Sequence, residues 1–224
     1  MYSVSRVCNV CCVLILLLRL YCTTSQGYPV LYYQLNKIDF TLLKQRGVTK
    51  DDLSRHILFL KEYIFAHLEP SDDEGQMISV VDVRGMGVSD MGSEAMELWK
   101  IHSKISQSHY VERSHQIYVI NASRAFRMMW KLLKPLVSDQ TRRKMKIFKE
   151  GADLSKLRRC VGVQHLPHEY GGTGGNLGSS EEERLLDKFV SRLNASVSTG
   201  VGVSGIPLES SESTAAVGTI SKGE

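Results

Sequence analysis

Two apolar runs, Met77 to Val83 (MISVVDV) and Gln116 to Ala122 (QIYVINA), are each as short as a strand, rich in β-branched residues, and separated by a helix-length segment. Runs without polar alternation are the mark of strands covered on both faces, as in parallel sheets. The flanking sequence continues the pattern. Pro29 to Leu35 (PVLYYQL) is an aromatic, β-prone run entered from a Gly-x-Pro turn. Thr49 stands as a cap with Asp52 three residues on, and Leu53, Ile57, Leu60 and Ile64 follow at helical spacing, which predicts a helix over residues 50–68. The turn-rich stretch Pro70 to Gly75 ends it. Further helices are expected over residues 92–107, 124–137 and 154–161, and a third short strand over 144–148. The alternation predicts an α/β fold, a mostly parallel mixed sheet flanked by helices.

The two ends differ from this middle. Residues 1–22 hold an apolar run from Val7 to Leu20, interrupted by Asn9 and Arg19, and four of the five cysteines: Cys8, Cys11, Cys12 and Cys22. The run is shorter than the roughly 20 residues a bilayer-spanning helix needs, so it reads as signal-like; replacement of upstream sequence by a faulty gene model is the alternative. Residues 173–224 are dominated by Gly, Ser and Thr and are expected to be a mostly disordered tail, with one candidate amphipathic helix from Glu181 to Leu193. The folded part, with Cys160 alone, has no disulfide framework.

A net charge of +4 is too small to call for nucleic acid. The cations are nevertheless uneven. Arg127, Lys131, Lys134, Arg142, Arg143, Lys144, Lys146 and Lys149 cluster with only Asp139 opposing them, a pattern suited to a phosphate or an anionic surface. Gly85-Met86-Gly87 lacks the third glycine of a dinucleotide loop, and no G-x-S-x-G elbow, phosphate loop or H-E-x-x-H occurs. His165, His168 and Glu169 sit in a segment better suited to a structural turn than to a metal or nucleophile site. The chain is therefore not expected to be an enzyme.

The succession GYPVLYY (27–33), ISVVDVRGMG (78–87), HYVERSHQIYVINAS (109–123), LLKPLVSDQTRRK (132–144) and LPHEYGG (166–172) resembles the CRAL-TRIO lipid-binding domain, in order and spacing, over residues 27–172. Between Tyr110 and Lys144 it is similar, without a gap, to the Sec-fourteen-like phosphatidylinositol transfer proteins. The resemblance implies a CRAL-TRIO lobe whose sheet floors an apolar pocket. Phosphatidylinositol or a related phospholipid would be enclosed there and carried between membranes. It also implies head-group contacts: Glu112 from the Y-x-E-R segment, Thr141 and Lys144 after the Lys-Pro turn, and Ser79 and Tyr63 at family hydroxyl positions. Strand phase puts Lys146 on the face of Lys144, which makes it a further candidate. A lysine and a hydroxyl satisfy phosphate oxygens, and a carboxylate accepts from inositol hydroxyls.

Residues 126–136 (FRMMWKLLKPL) resemble the family's gate helix. Phe126, Met129, Trp130 and Leu133 share one face, flanked by Lys131 and Lys134, and are expected to close the pocket and touch membrane. No cofactor is expected, the phospholipid being cargo. The expected partners are that lipid and a membrane surface, with no nucleic acid, for a monomer working in the cytoplasm at membranes; a genuine leader would instead send the chain to the secretory route. The family's preceding helical domain has no counterpart in residues 1–22, and an interaction module without lipid transfer is the competing reading.

Overall fold

The computed structural model describes residues 18–67, 75–87, 90, 92–110 and 112–198 of the 224. Five strands form one sheet in sequential order: β1 (Leu18–Thr23), β2 (Pro29–Gln34), β3 (Met77–Asp82), β4 (Ser114–Ala122) and β5 (Met145–Lys149). Only β1 is antiparallel to its neighbour, and β2 to β5 run parallel. This is the α/β architecture anticipated from the alternation of runs. After a short α1 (Phe40–Gln45), the parallel strands are joined by α2 (Lys50–His67), α3 (Ser93–His109) and the pair α4 (Arg124–Leu133) and α5 (Asp139–Lys144). Right-handed crossovers between strands taken in sequence put all of these helices on one face.

Local chemistry sets the boundaries. The backbone N–H and hydroxyl of Thr49 both donate to the Asp52 carboxylate, at 3.0 and 2.6 Å, and Asp52 N–H donates to the Thr49 hydroxyl at 3.2 Å, a reciprocal cap that starts α2. Ser123 and Ser138 cap α4 and α5 in the same manner, accepting from Phe126 and Thr141 N–H. Where one helix was expected over residues 124–137, α4 stops at Leu133 and a 3-10 turn over Lys134–Leu136 follows, since Pro135 cannot donate within a helix.

Alternation divides the core. Val30, Tyr32, Ile78, Val80, Tyr118 and Ile120 point to the second face, where they meet Leu157 and Val161 of α6 (Ser155–Val161), Leu166 and Tyr170. Tyr32 and Tyr170 stack with ring centroids 5.5 Å apart and an interplanar angle of 2°. The LPHEYGG turn needs its last glycine, because a Cβ on Gly172 would lie 1.9 Å from the Leu166 carbonyl oxygen. Glu169 accepts from Gln34 Nε2 at 3.0 Å, tying this turn to β2.

The N-terminal end departs from expectation, and the C-terminal end does so in part. Residues 18–22, read as the close of a signal-like segment, form edge strand β1, with Leu20 and Cys22 buried. Arg19, the charge within the apolar run from Val7 to Leu20, is a strand residue paired with Glu183 at 3.3 Å. Glu183 belongs to α7 (Glu181–Ser198), the amphipathic helix expected from Glu181 to Leu193 within a tail otherwise expected to be disordered, here five residues longer. Here α7 covers the edge of β1, with Leu186 buried against Leu20, Leu60 and Tyr63. Ser180 Oγ donates to Leu20 O at 3.0 Å, and Tyr21 Oη to Gly175 O at 2.6 Å. The remainders of the two end segments, residues 1–17 and 199–224, lie outside the described residues.

Candidate functional site

The helix-bearing face of the sheet is not filled. Between the sheet and α2, α3 and α4 lies a cavity of about 850 Å³. Its floor is apolar: Val81 and Val83 with the end of β3, Ile117 and Val119 of β4, and Met145 of β5. Leu53 and Ile57 of α2 and Leu98 and Trp99 of α3 form a wall, and Phe126, Trp130 and Leu133 of α4 close one side.

Polar groups gather where α3, β4 and α5 meet. Glu112 takes a left-handed backbone conformation, φ 67°, in the turn before β4. Its carbonyl accepts from Gln76 Nε2 at 3.0 Å, and its carboxylate accepts from Gln140 Nε2. Gln140, Thr141 and Lys144 all lie on α5, and with Glu112 they line the cavity. The Thr141 hydroxyl shares a 2.8 Å hydrogen bond with Ser138 Oγ, and the Lys144 carbonyl accepts from Gln116 Nε2. The structure therefore brings Glu112, Thr141 and Lys144 to one rim, a carboxylate, a hydroxyl and an ammonium at the border of an apolar space.

Ser79 also lines the cavity, buried on the floor beside the Tyr33 hydroxyl. Two expected residues do not. Lys146 sits on the opposite face, its ammonium 5.5 Å from the Tyr118 ring centroid. The reason is that Lys144 is the last residue of α5, so its direction follows the helix while strand alternation begins at Met145. Tyr63 packs against Phe189 of α7, with ring centroids 5.2 Å apart, and is core rather than lining.

The gate-helix residues divide differently from expectation. Phe126 and Leu133 are buried, Met129 and Trp130 half-buried, and all four face the protein interior. In the observed position this stripe turns inward rather than toward an outer surface. The outward apolar residues are Met128 and Leu132, 70% and 78% exposed, with Lys131 and Lys134 exposed beside them.

Sequence reading missed a polar set on the α2–α3 wall. His56, Lys61, His102 and Ser106 line the cavity. Burial takes the His56 imidazole down to about 4. His102 falls to about 3 through burial and the nearby Lys61 charge, and its Nε2 lies 3.3 Å from the Tyr33 hydroxyl. The available signal was that Lys61 continues the Leu53-Ile57 spacing of α2, a charge on the buried stripe. Among the described residues there is no cluster of three or more acidic, His or Cys groups that would hold a metal.

The family model of the CRAL/TRIO domain matches residues 19–172. The chain belongs to the CRAL/TRIO family. Curated relatives include a phosphatidylinositol/phosphatidylcholine transfer protein of Arabidopsis thaliana, SFH7, which is 27% identical over 154 residues, 66% of this chain and 28% of that protein. The SEC14 cytosolic factor of Candida glabrata is 27% identical over 157 residues, covering 67% and 51%. The CRAL-TRIO domain-containing protein YKL091C of Saccharomyces cerevisiae is 32% identical over 156 residues, covering 66% and 49%. The chain thus spans about half, or less, of these relatives' length. The crystal structure of Sfh5 superposes with a TM-score of 0.60 at 24% identity, over 73% of this chain and 57% of that one, a likeness of fold. The match begins at residue 19, inside β1, in agreement with a lobe that starts before residue 27.

Proposed function

We propose that this CRAL/TRIO chain binds one phospholipid, phosphatidylinositol or a close relative, and transfers it between membranes. The observation that carries the reading is the apolar cavity of about 850 Å³ with Glu112, Thr141 and Lys144 assembled at its rim. Each methylene kept from water is worth about 0.8 kcal/mol, so an acyl chain leaves a bilayer readily only into another apolar enclosure. The rim then supplies the polar half: Lys144 and Thr141 face the phosphate, and Glu112 accepts from head-group hydroxyls. Ser79 adds a hydroxyl on the floor. The α4 helix is the moving element, since it closes one side with Trp130 while showing Met128 and Leu132 outward. No bond is made or broken in this activity.

The names of the relatives support the reading: one is a phosphatidylinositol/phosphatidylcholine transfer protein and another a cytosolic factor, and a cytoplasmic site of action follows by analogy with the second. The test is extraction of the purified protein into organic solvent with mass spectrometry, together with transfer of labelled phosphatidylinositol between vesicles. Near-stoichiometric phosphatidylinositol, lost in Glu112→Ala plus Lys144→Ala, is expected. A protein that returns no lipid and moves none between vesicles refutes carriage and leaves an interaction module in its place.

A further inference from the structure

Lys61 is 6% exposed, and the space it borders is the cavity. Its ammonium lies 5.0 Å from the Tyr110 ring centroid, and among the described residues it forms no ion pair. The neighbouring acid, Glu62, points to solvent and accepts from the Tyr110 hydroxyl. Burial draws the lysine down to about 8. A cation in this position serves packing poorly. An apolar side chain would continue the stripe of Ile57 and Ile64 without the cost of stripping water from an ammonium. Also lining the cavity, from α3, is Ser106, whose buried hydroxyl has no hydrogen-bond partner among the described residues. The hydrogen-bonded pair of His102 and Tyr33 completes the surroundings.

We propose that this wall is a second polar subsite that holds an oxyanion of the enclosed lipid, with Lys61 supplying the charge and Ser106 a hydrogen bond. The inference rests on the lipid-binding reading and deepens it. The cargo is an acidic lipid whose one oxyanion lies between the α2–α3 wall and the α5 rim, bonded from both. A phosphodiester and a fatty-acid carboxylate share the required chemistry. An aromatic face at Tyr110 suits the ammonium but gives it no counter-charge, so a ligand oxygen is the group that completes the site.

The test loads wild type and Lys61→Met, in separate incubations, from neutral vesicles containing phosphatidylinositol, oleic acid or diacylglycerol, and measures bound lipid by mass spectrometry. Lys61→Met is expected to lose about 10-fold or more in affinity for phosphatidylinositol or for oleate, as for loss of a hydrogen bond to a charged group, while diacylglycerol is unchanged. Loss for phosphatidylinositol assigns a phosphodiester, and loss for oleate assigns a carboxylate; both support the subsite. Equal binding of each lipid by variant and wild type overturns the inference and leaves lipid carriage standing. Wild type that takes up none of the three overturns carriage, and the subsite with it. Lys61→Met is expected to melt at or above the wild-type temperature, because a buried cation is removed. If it melts lower, Ser106→Ala decides: a several-fold loss for the same acidic lipid supports the subsite, and no loss overturns it.

Discussion

Replacing Met128 and Leu132 together by glutamine should uncouple lipid transfer from lipid binding. The two side chains lie four residues apart on the outer surface of α4, 70% and 78% exposed, and neither contributes to the core clusters beneath. Complete burial of such a side chain is worth about 1.5–3 kcal/mol, so inserting what remains exposed at the two sites gives about 3 kcal/mol in total. At 1.4 kcal/mol per decade that is about 100-fold in membrane affinity. Glutamine keeps helix propensity close to that of the originals, and folding stability should shift by less than about 0.5 kcal/mol. The assays are vesicle flotation, transfer rate and bound-lipid mass spectrometry on the same samples. Flotation and transfer should fall while bound lipid stays near wild type. Lys131→Glu plus Lys134→Glu should show a loss confined to anionic vesicles and suppressed by salt, since each cation near such a surface adds about 1 kcal/mol. Transfer by the glutamine pair at the wild-type rate would refute α4's outer surface as the membrane contact.

Three further outcomes are expected. Lys146→Ala should leave bound lipid unchanged, because the side chain lies over Tyr118 on the far side of the sheet; a loss equal to that of Lys144→Ala would overturn the placement. Removing α7 by ending the chain at residue 172 should lower the urea midpoint sharply, since loss of a buried leucine such as Leu186 alone costs about 2–5 kcal/mol; an unchanged midpoint would contradict the packing of α7 on β1. His56 has its imidazole held at about 4 by burial, below the usual 6.5, so the unfolded chain binds the proton more tightly. Its contribution is complete above pH 6.5 and is lost as pH falls toward 4, by up to about 3 kcal/mol, so His56→Gln should flatten the stability profile in that window relative to wild type. Parallel profiles for the two proteins would count against the assignment.

The sheet was readable because its parallel strands carry their own signal: MISVVDV and QIYVINA have no polar face to hide. The helix from Glu181 was legible too, but strand β1 and the docking of α7 on it were not, for a reason that lies in their pairing. Arg19 is anomalous alone, a charge in an apolar run, and becomes ordinary only when β1 and α7 meet and Glu183 pairs with it. No local pattern reports a contact over that separation. Glu112, Thr141 and Lys144 were named by resemblance, and all three line the cavity, which composition and spacing alone would not have told. Lys146 was misplaced because strand periodicity was extended one residue into α5. Tyr63 was misplaced because the helix that buries it lies in the tail. Lys61 was overlooked since a charge on a helix is ordinarily solvated, and only the cavity wall shows that this one is not.

The two faces of the sheet also divide the work of folding and binding. On one, stacked Tyr32 and Tyr170 and the packed α6 leave little room, and this face together with the β1–α7 edge supplies a solid core. On the other, the space is about 850 Å³. Kept dry, a cavity costs about 24 cal/mol per Å³, which here gives about 20 kcal/mol and exceeds the 5–15 kcal/mol by which domains are stable. Such a space persists only if it opens to solvent or is filled by something of its own polarity. Both conditions bear on α4: the helix is short, ends in a proline turn, and borders the cavity with Phe126, Trp130 and Leu133. On the proposed lipid-carrying reading, the apolar burial that would hold α4 in place is the same that would hold an acyl chain beneath it, and the position of α4 and the occupancy of the cavity would be coupled.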